Sequence, residues 1–188
     1  MLLNGVRGGS YTRLPLSGGR EEGRTMSLSL RESVQTVSDP KSLDASVEEV
    51  FQLMLGVNCQ PEREPLVQSG QFESVTAVVG FGGMLSGACV FRSQGDVAMK
   101  IATHMTGMEF TSVDDTVKDA IGEVCNMLAG AWKGKVPELA AHCGLSVPAV
   151  ITGRDYNLHV QAPEFQINHA YSFAGAHFSV TIICDGLQ

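Results

Sequence analysis

The sequence predicts an α+β domain: a single, mainly antiparallel sheet with long helices packed on one face. Three observations predict it. Segments with an apolar period near 3.6 residues are interspersed with segments rich in β-branched residues. Strand-like segments that follow one another are joined by short links, which suit antiparallel pairing. The elements run α, ββ, α, α, βββ, which is not the strict alternation of a parallel sheet.

The first helix is expected over residues 43–56, with Val47, Val50, Phe51, Met54 and Leu55 as its apolar stripe and Gly56 as its stop. Residues 73–93 read as a hairpin turning at Gly82-Gly83. A second helix is expected over 95–106, with Val97, Ile101, Ala102 and Met105 facing inward. A long helical segment follows over 111–141. Thr111-x-x-Asp114 offers it a start resembling a capping box, and Pro137 should end it, kink it or open a new short helix. Three strands complete the chain, over 147–152, 169–176 and 178–184. In the last, Phe178, Val180, Ile182 and Cys184 fall on one face.

The chain has 188 residues, 44% hydrophobic and 18% charged, as expected of an ordinary globular protein. Its apolar runs fall well short of the ~18 residues that a membrane-spanning helix needs. A net charge of −7 without a basic cluster argues against nucleic acid and anionic membranes as partners. Five cysteines (59, 89, 125, 143, 184) form no CxxC pair and mostly lie within apolar segments. They read as reduced core thiols, which points to the cytoplasm. Residues 1–38, with Gly8-Gly9, Gly18-Gly19 and little periodicity, are expected to be a disordered tail before a domain at 39–188. No signal peptide is expected there, since no apolar core precedes a small-residue cleavage site, and Met26 is a candidate for the true start.

The long helix carries the functional signal. At about 100° per residue, Val117, Ile121, Val124 and Leu128 form a core stripe within about 60°. Asp119, Glu123 and Asn126 cluster on the opposite side, and Gly130 follows on the same line, where a missing side chain lets another surface approach. Two carboxylates and a carboxamide on an outer face can bind a partner or position a water.

Asp119-x-x-x-Glu123-x-x-Asn126, then twenty-one residues and Pro148, together with DAIGEVCNMLAGAWKGKV and GLSVPAVITG, resembles the CheX/CheC/FliY phosphatases of bacterial chemotaxis, the CheX branch in particular. The likeness spans roughly residues 40–188. Asp44-x-x-x-Glu48-x-x-Phe51 in the first helix looks like a decayed second copy, with a core phenylalanine in place of the amide, so that helix should be inactive. The resemblance implies a CheC/CheX-like fold and hydrolysis of the aspartyl phosphate of a CheY-like response-regulator receiver. It implies that Asn126 aligns the water and that Glu123 pairs with the receiver's lysine. Asp119 and Gly130 would belong to the partner-binding surface, and Pro148 would be structural. It implies no cofactor of the chain's own, Mg²⁺ being supplied by the receiver, and a homodimer that continues its sheet through an edge strand. The alternative is a receiver-binding or dimeric scaffold module without turnover.

Other features have plainer readings. Gly80-Phe81-Gly82-Gly83 lacks the Lys-Ser/Thr of a phosphate loop and fits a hairpin turn. Five histidines show no paired ligand spacing, so no metal site is expected. Cys125 points away from Asn126 and reads as a packed thiol, Trp132 as core, and Met99, Met105, Met108 and Met127 as gap-filling side chains.

Overall fold

A computed structural model describes residues 35–62, 73–154, 156 and 163–187. The expectations of a disordered tail and of a start at Met26 lie outside the described residues, apart from positions 35–38. Those four belong to the domain: Val37 is fully buried, and its carbonyl accepts a hydrogen bond from Trp132 Nε1 at 3.2 Å.

The elements are α1 (Pro40–Leu55), β1 (Gln60–Glu62), β2 (Ser74–Gly83), β3 (Leu85–Gln94), α2 (Gly95–Thr106), α3 (Asp115–Gly134), α4 (Pro137–His142), β4 (Cys143–Leu145), β5 (Ala149–Gly153), β6 (Phe165–Phe173) and β7 (Ala176–Leu187). They build one seven-stranded sheet in the order β1-β6-β7-β3-β2-β4, with β5 also paired to β2. Every pairing is antiparallel.

Register explains the core. Val79, Cys89, Ile182 and Ile167 are cross-strand neighbours in one row, and Ala77, Phe91 and Val180 lie in the next. All are buried, because successive side chains alternate faces and these point toward the helices. On this face α3 crosses β2 and β3 and reaches β4 and β5, while α1 and α2 pack along its flanks. Phe51 of α1 stacks on Phe178 at 4.5 Å between centroids and meets Phe173 edge-on at 5.4 Å. The five cysteines are all buried and unpaired, as small core residues. On the opposite face Arg92 lies 4.8 Å over the Tyr156 ring and donates to its backbone oxygen, while Tyr156 OH donates to Thr76 Oγ1 at 2.6 Å.

Several boundaries move. β2 runs on to Gly83, so the hairpin turns at Met84. Gly83 has φ +126°, and a Cβ there would strike the His142 carbonyl oxygen, which accepts from Met84 N–H at 3.2 Å. Asp114 caps α3 itself, its Oδ1 accepting from Val117 N–H at 2.9 Å, so Thr111 is not the cap. Pro137 opens α4, where its fixed φ suits a first turn. β6 lies earlier than expected because Ala174 (φ 47°) and Gly175 (φ 74°) form the turn. Met54 is exposed and drops out of the expected α1 stripe, Leu55 closes the core at that end of α1, and Met108 is exposed and fills no gap.

The Trp132 hydrogen bond gives a stability prediction. Trp132→Phe removes the donor and leaves the Val37 carbonyl unpaired in the core, which should cost about 1–2 kcal/mol. Urea unfolding measures it, and an unchanged midpoint would show that the bond contributes nothing.

Candidate functional site on helix α3

Helix α3 is held from three sides. Asp114 fixes its start, Val117, Ile121, Val124 and Leu128 are fully buried beneath it, and Trp132 anchors its last turns between Val37 and Phe81. Rotation about its axis would expose that stripe, so the outer face has a defined direction. On that face Asp119 and Glu123 are exposed and Asn126 is half-buried. The structure thus brings the three together on the solvent side, one turn apart. Neither Glu123 nor Asn126 makes a hydrogen bond or ion pair with the described residues. A carboxylate and a carboxamide without internal partners are free to serve a ligand.

The neighbouring charges are partly spoken for. Lys118 Nζ binds Asp115 Oδ1 at 2.9 Å. That hydrogen bond, the charge of Asp115 and then those of Asp114 and Asp119 hold the Lys118 ammonium above its ordinary range, while Lys118 holds the Asp115 carboxyl below its own. The cation on the flank is therefore engaged with the first turn and forms no ion pair with Glu123.

Gly130 has nothing within 4 Å of where a Cβ would stand, so the face stays open one turn beyond Asn126. Pro148 has a defined neighbour. A Cβ on Gly122 would meet Pro148 Cβ at 3.2 Å and Val150 Cγ2 at 3.5 Å. The proline ring rests on bare helix backbone, between the turns that carry Asp119 and Asn126. Sequence reasoning named Pro148 but missed Gly122. The available signal was a glycine in a helix interior, where it costs roughly 1 kcal/mol against alanine.

Cys125 points inward, its Sγ 3.5 Å from the Ala77 and Cys89 carbonyl oxygens. It is a buried thiol beneath the site and has no path to a ligand. Among the described residues, no three His, Cys, Asp or Glu side chains are grouped to hold a metal.

The α1 counterpart is committed elsewhere. Asp44 Oδ1 accepts from Tyr171 OH at 2.8 Å and lies 2.8 Å from His169 Nδ1. Burial and that carboxylate push the Tyr171 hydroxyl well above its usual range. Phe51 has no exposed surface, so α1 presents no amide at the third motif position and no free carboxylate at the first.

A family model described as "Chemotaxis phosphatase CheX" matches residues 75–169, a span that takes in all of α3 and Pro148. The chain belongs to the CheX family. It is 29% identical over 119 residues to the CheY-P phosphatase CheX of Thermotoga maritima, covering 62% of this chain and 77% of that protein. The fold is also that of solved CheX structures. The CheX protein of Vibrio vulnificus superposes with a TM-score of 0.65 at 20% identity, over 77% of this chain and 94% of the other. The CheX-CheY-BeF3-Mg²⁺ complex from Borrelia burgdorferi gives 0.61 at 19% identity, over 78% and 97%. CheX membership agrees with the resemblance carried by the α3 motif and with the antiparallel sheet.

Proposed function

We propose that this CheX-family chain is a protein-aspartyl-phosphate phosphatase that docks α3 on a phosphorylated, CheY-type receiver and speeds hydrolysis of its acyl phosphate. The observation that carries this is the outward face of Asp119, Glu123 and Asn126, inside the span of the family match, with Glu123 and Asn126 unbonded among the described residues. The Thermotoga maritima relative is itself named for this activity.

Phosphoryl transfer needs positioning and charge stabilisation more than covalent help. The receiver brings the phosphate, its lysine and its Mg²⁺, and this chain needs no cofactor of its own. Asn126 supplies an uncharged donor–acceptor pair that holds the attacking water in line with the phosphorus. It cannot take the proton, so the water is aligned rather than deprotonated by it. Glu123, one turn earlier, pairs with the receiver's lysine and fixes the docking register. Asp119 makes polar contacts at the rim, and the bare backbone at Gly130 admits the partner's surface. Pro148 holds the β5 strand against Gly122 and acts structurally.

The reading extends to assembly and place. The protein works in the cytoplasm, where response regulators are found. It pairs as a homodimer through an edge of the sheet, which among the described residues ends in β1 on one side and in β4 and β5 on the other. Unpaired edges of this kind favour association.

Glu123→Lys tests the docking role. Glu123 is exposed, so folding should be untouched, while like charge against the receiver's lysine should raise KM about tenfold or more. Steady-state hydrolysis of a labelled receiver reads this, and an unchanged KM would remove the ion pair from the account.

A further inference from the structure

The link between β4 and β5 runs beside the α3 face and carries an apolar side chain in water: Val147 is 86% exposed. Single exposed valines are ordinary on protein surfaces. This one differs in its mount and in its place. Its mount is fixed on both sides. Ser146 N–H donates to Gly80 O at 2.8 Å, Ser146 Oγ accepts from Gly80 N–H at 2.9 Å, and the same hydroxyl donates to the Val147 carbonyl at 2.9 Å. On the other side Pro148 lies against Gly122. Its place follows from that contact. Gly122 stands one turn after Asp119 and one turn before Asn126, so the residue preceding Pro148 stands on the flank of the carboxylate–amide face.

We propose that Val147 is an apolar anchor of the docking surface, burying its side chain against the phosphorylated receiver as Asn126 reaches the acyl phosphate. The inference rests on the phosphatase reading and adds a positioning residue to it. The three motif positions of the α3 face offer only charged and polar groups, and contacts of that kind alone leave an interface wet. One desolvated apolar contact, held in place beforehand, adds affinity without an ordering cost at the moment of binding. The occupant is the receiver, because Val147 is joined to the proline that packs on Gly122, between the turns that carry Asp119 and Asn126.

The test uses the full chain and a CheY-type receiver loaded with beryllofluoride and Mg²⁺, a stable mimic of the acyl phosphate. Val147→Asp should weaken binding about tenfold, while Val147→Ile should bind as the wild type does. With the labelled acyl phosphate, Val147→Asp should raise KM by a similar factor and leave kcat within about twofold. A Val147→Asp protein that binds as tightly as the wild type overturns the inference. So does one whose oligomeric state changes in sedimentation, since Val147 would then serve contact between copies. A wild type that neither binds the loaded receiver nor speeds phosphate loss defeats the phosphatase reading itself. A wild type that does both, beside an unimpaired Val147→Asp, defeats this inference alone.

Discussion

Asn126→Ala lowers the rate of receiver dephosphorylation by about a hundredfold or more, with the fold intact. The magnitude follows from what the amide does. A water left to find its own line of attack loses the orientation that the carboxamide imposes, and a hundredfold loss corresponds to about 2.7 kcal/mol of transition-state stabilisation. The fold survives because Asn126 is half-buried, makes no hydrogen bond with the described residues, and gives way to the best helix former. The loss should appear in kcat, with binding of a beryllofluoride-loaded receiver largely kept, because the contact matters most in the transition state. Single-turnover hydrolysis together with thermal unfolding checks both halves. A fully active Asn126→Ala protein would remove the amide from the mechanism.

Phe51→Asn restores the missing amide to the decayed motif of α1, and it should destroy stability rather than create a second site. Phe51 is fully buried, stacked on Phe178 with the rings 3° from parallel, and edge-on to Phe173. Asparagine there leaves a cavity where the ring stood and an amide with no partner in an apolar core. Truncating a buried phenylalanine costs about 3–5 kcal/mol, and the stranded amide adds to it. That is a large share of the roughly 5–15 kcal/mol that holds a domain together. Nor would the motif's first carboxylate be available, since Asp44 is bound to Tyr171 and set against His169. Urea unfolding should show the loss, and no extra phosphatase activity should appear. A variant of near wild-type stability with raised activity would mean that α1 can turn its face outward.

The parts of this fold that were legible in the sequence are those that a local period specifies. The 95–106 helix keeps its bounds, and the α3 core stripe and its polar face stand where a 3.6-residue repeat puts them. What was not legible is set by contacts distant in sequence. Gln60–Glu62 and Cys143–Leu145 become strands only because β6 and β2 offer them edges, and three residues carry no period of their own. The start of α3 was misplaced because two polar residues, Thr111 and Asp114, could each serve as cap, and only the Asp114 side chain bends back to Val117. β6 was shifted because Ala174 adopts positive φ, which its identity does not announce. At the site, Asp119, Glu123, Asn126 and Pro148 were found from spacing and family likeness. The packing of Pro148 on Gly122, the fastening of Ser146 to Gly80 and the binding of Asp44 by Tyr171 each join residues from different elements. No one-dimensional pattern contains them.

The most direct test of the central claim is the loss of ³²P from a phosphorylated CheY-type receiver, followed with and without a substoichiometric amount of the full chain. The proposed phosphatase shortens the lifetime of the acyl phosphate in proportion to its concentration, with many receivers dephosphorylated per protein molecule. A decay no faster than the receiver's own, at protein concentrations where the two bind, would contradict it and leave a docking module without turnover.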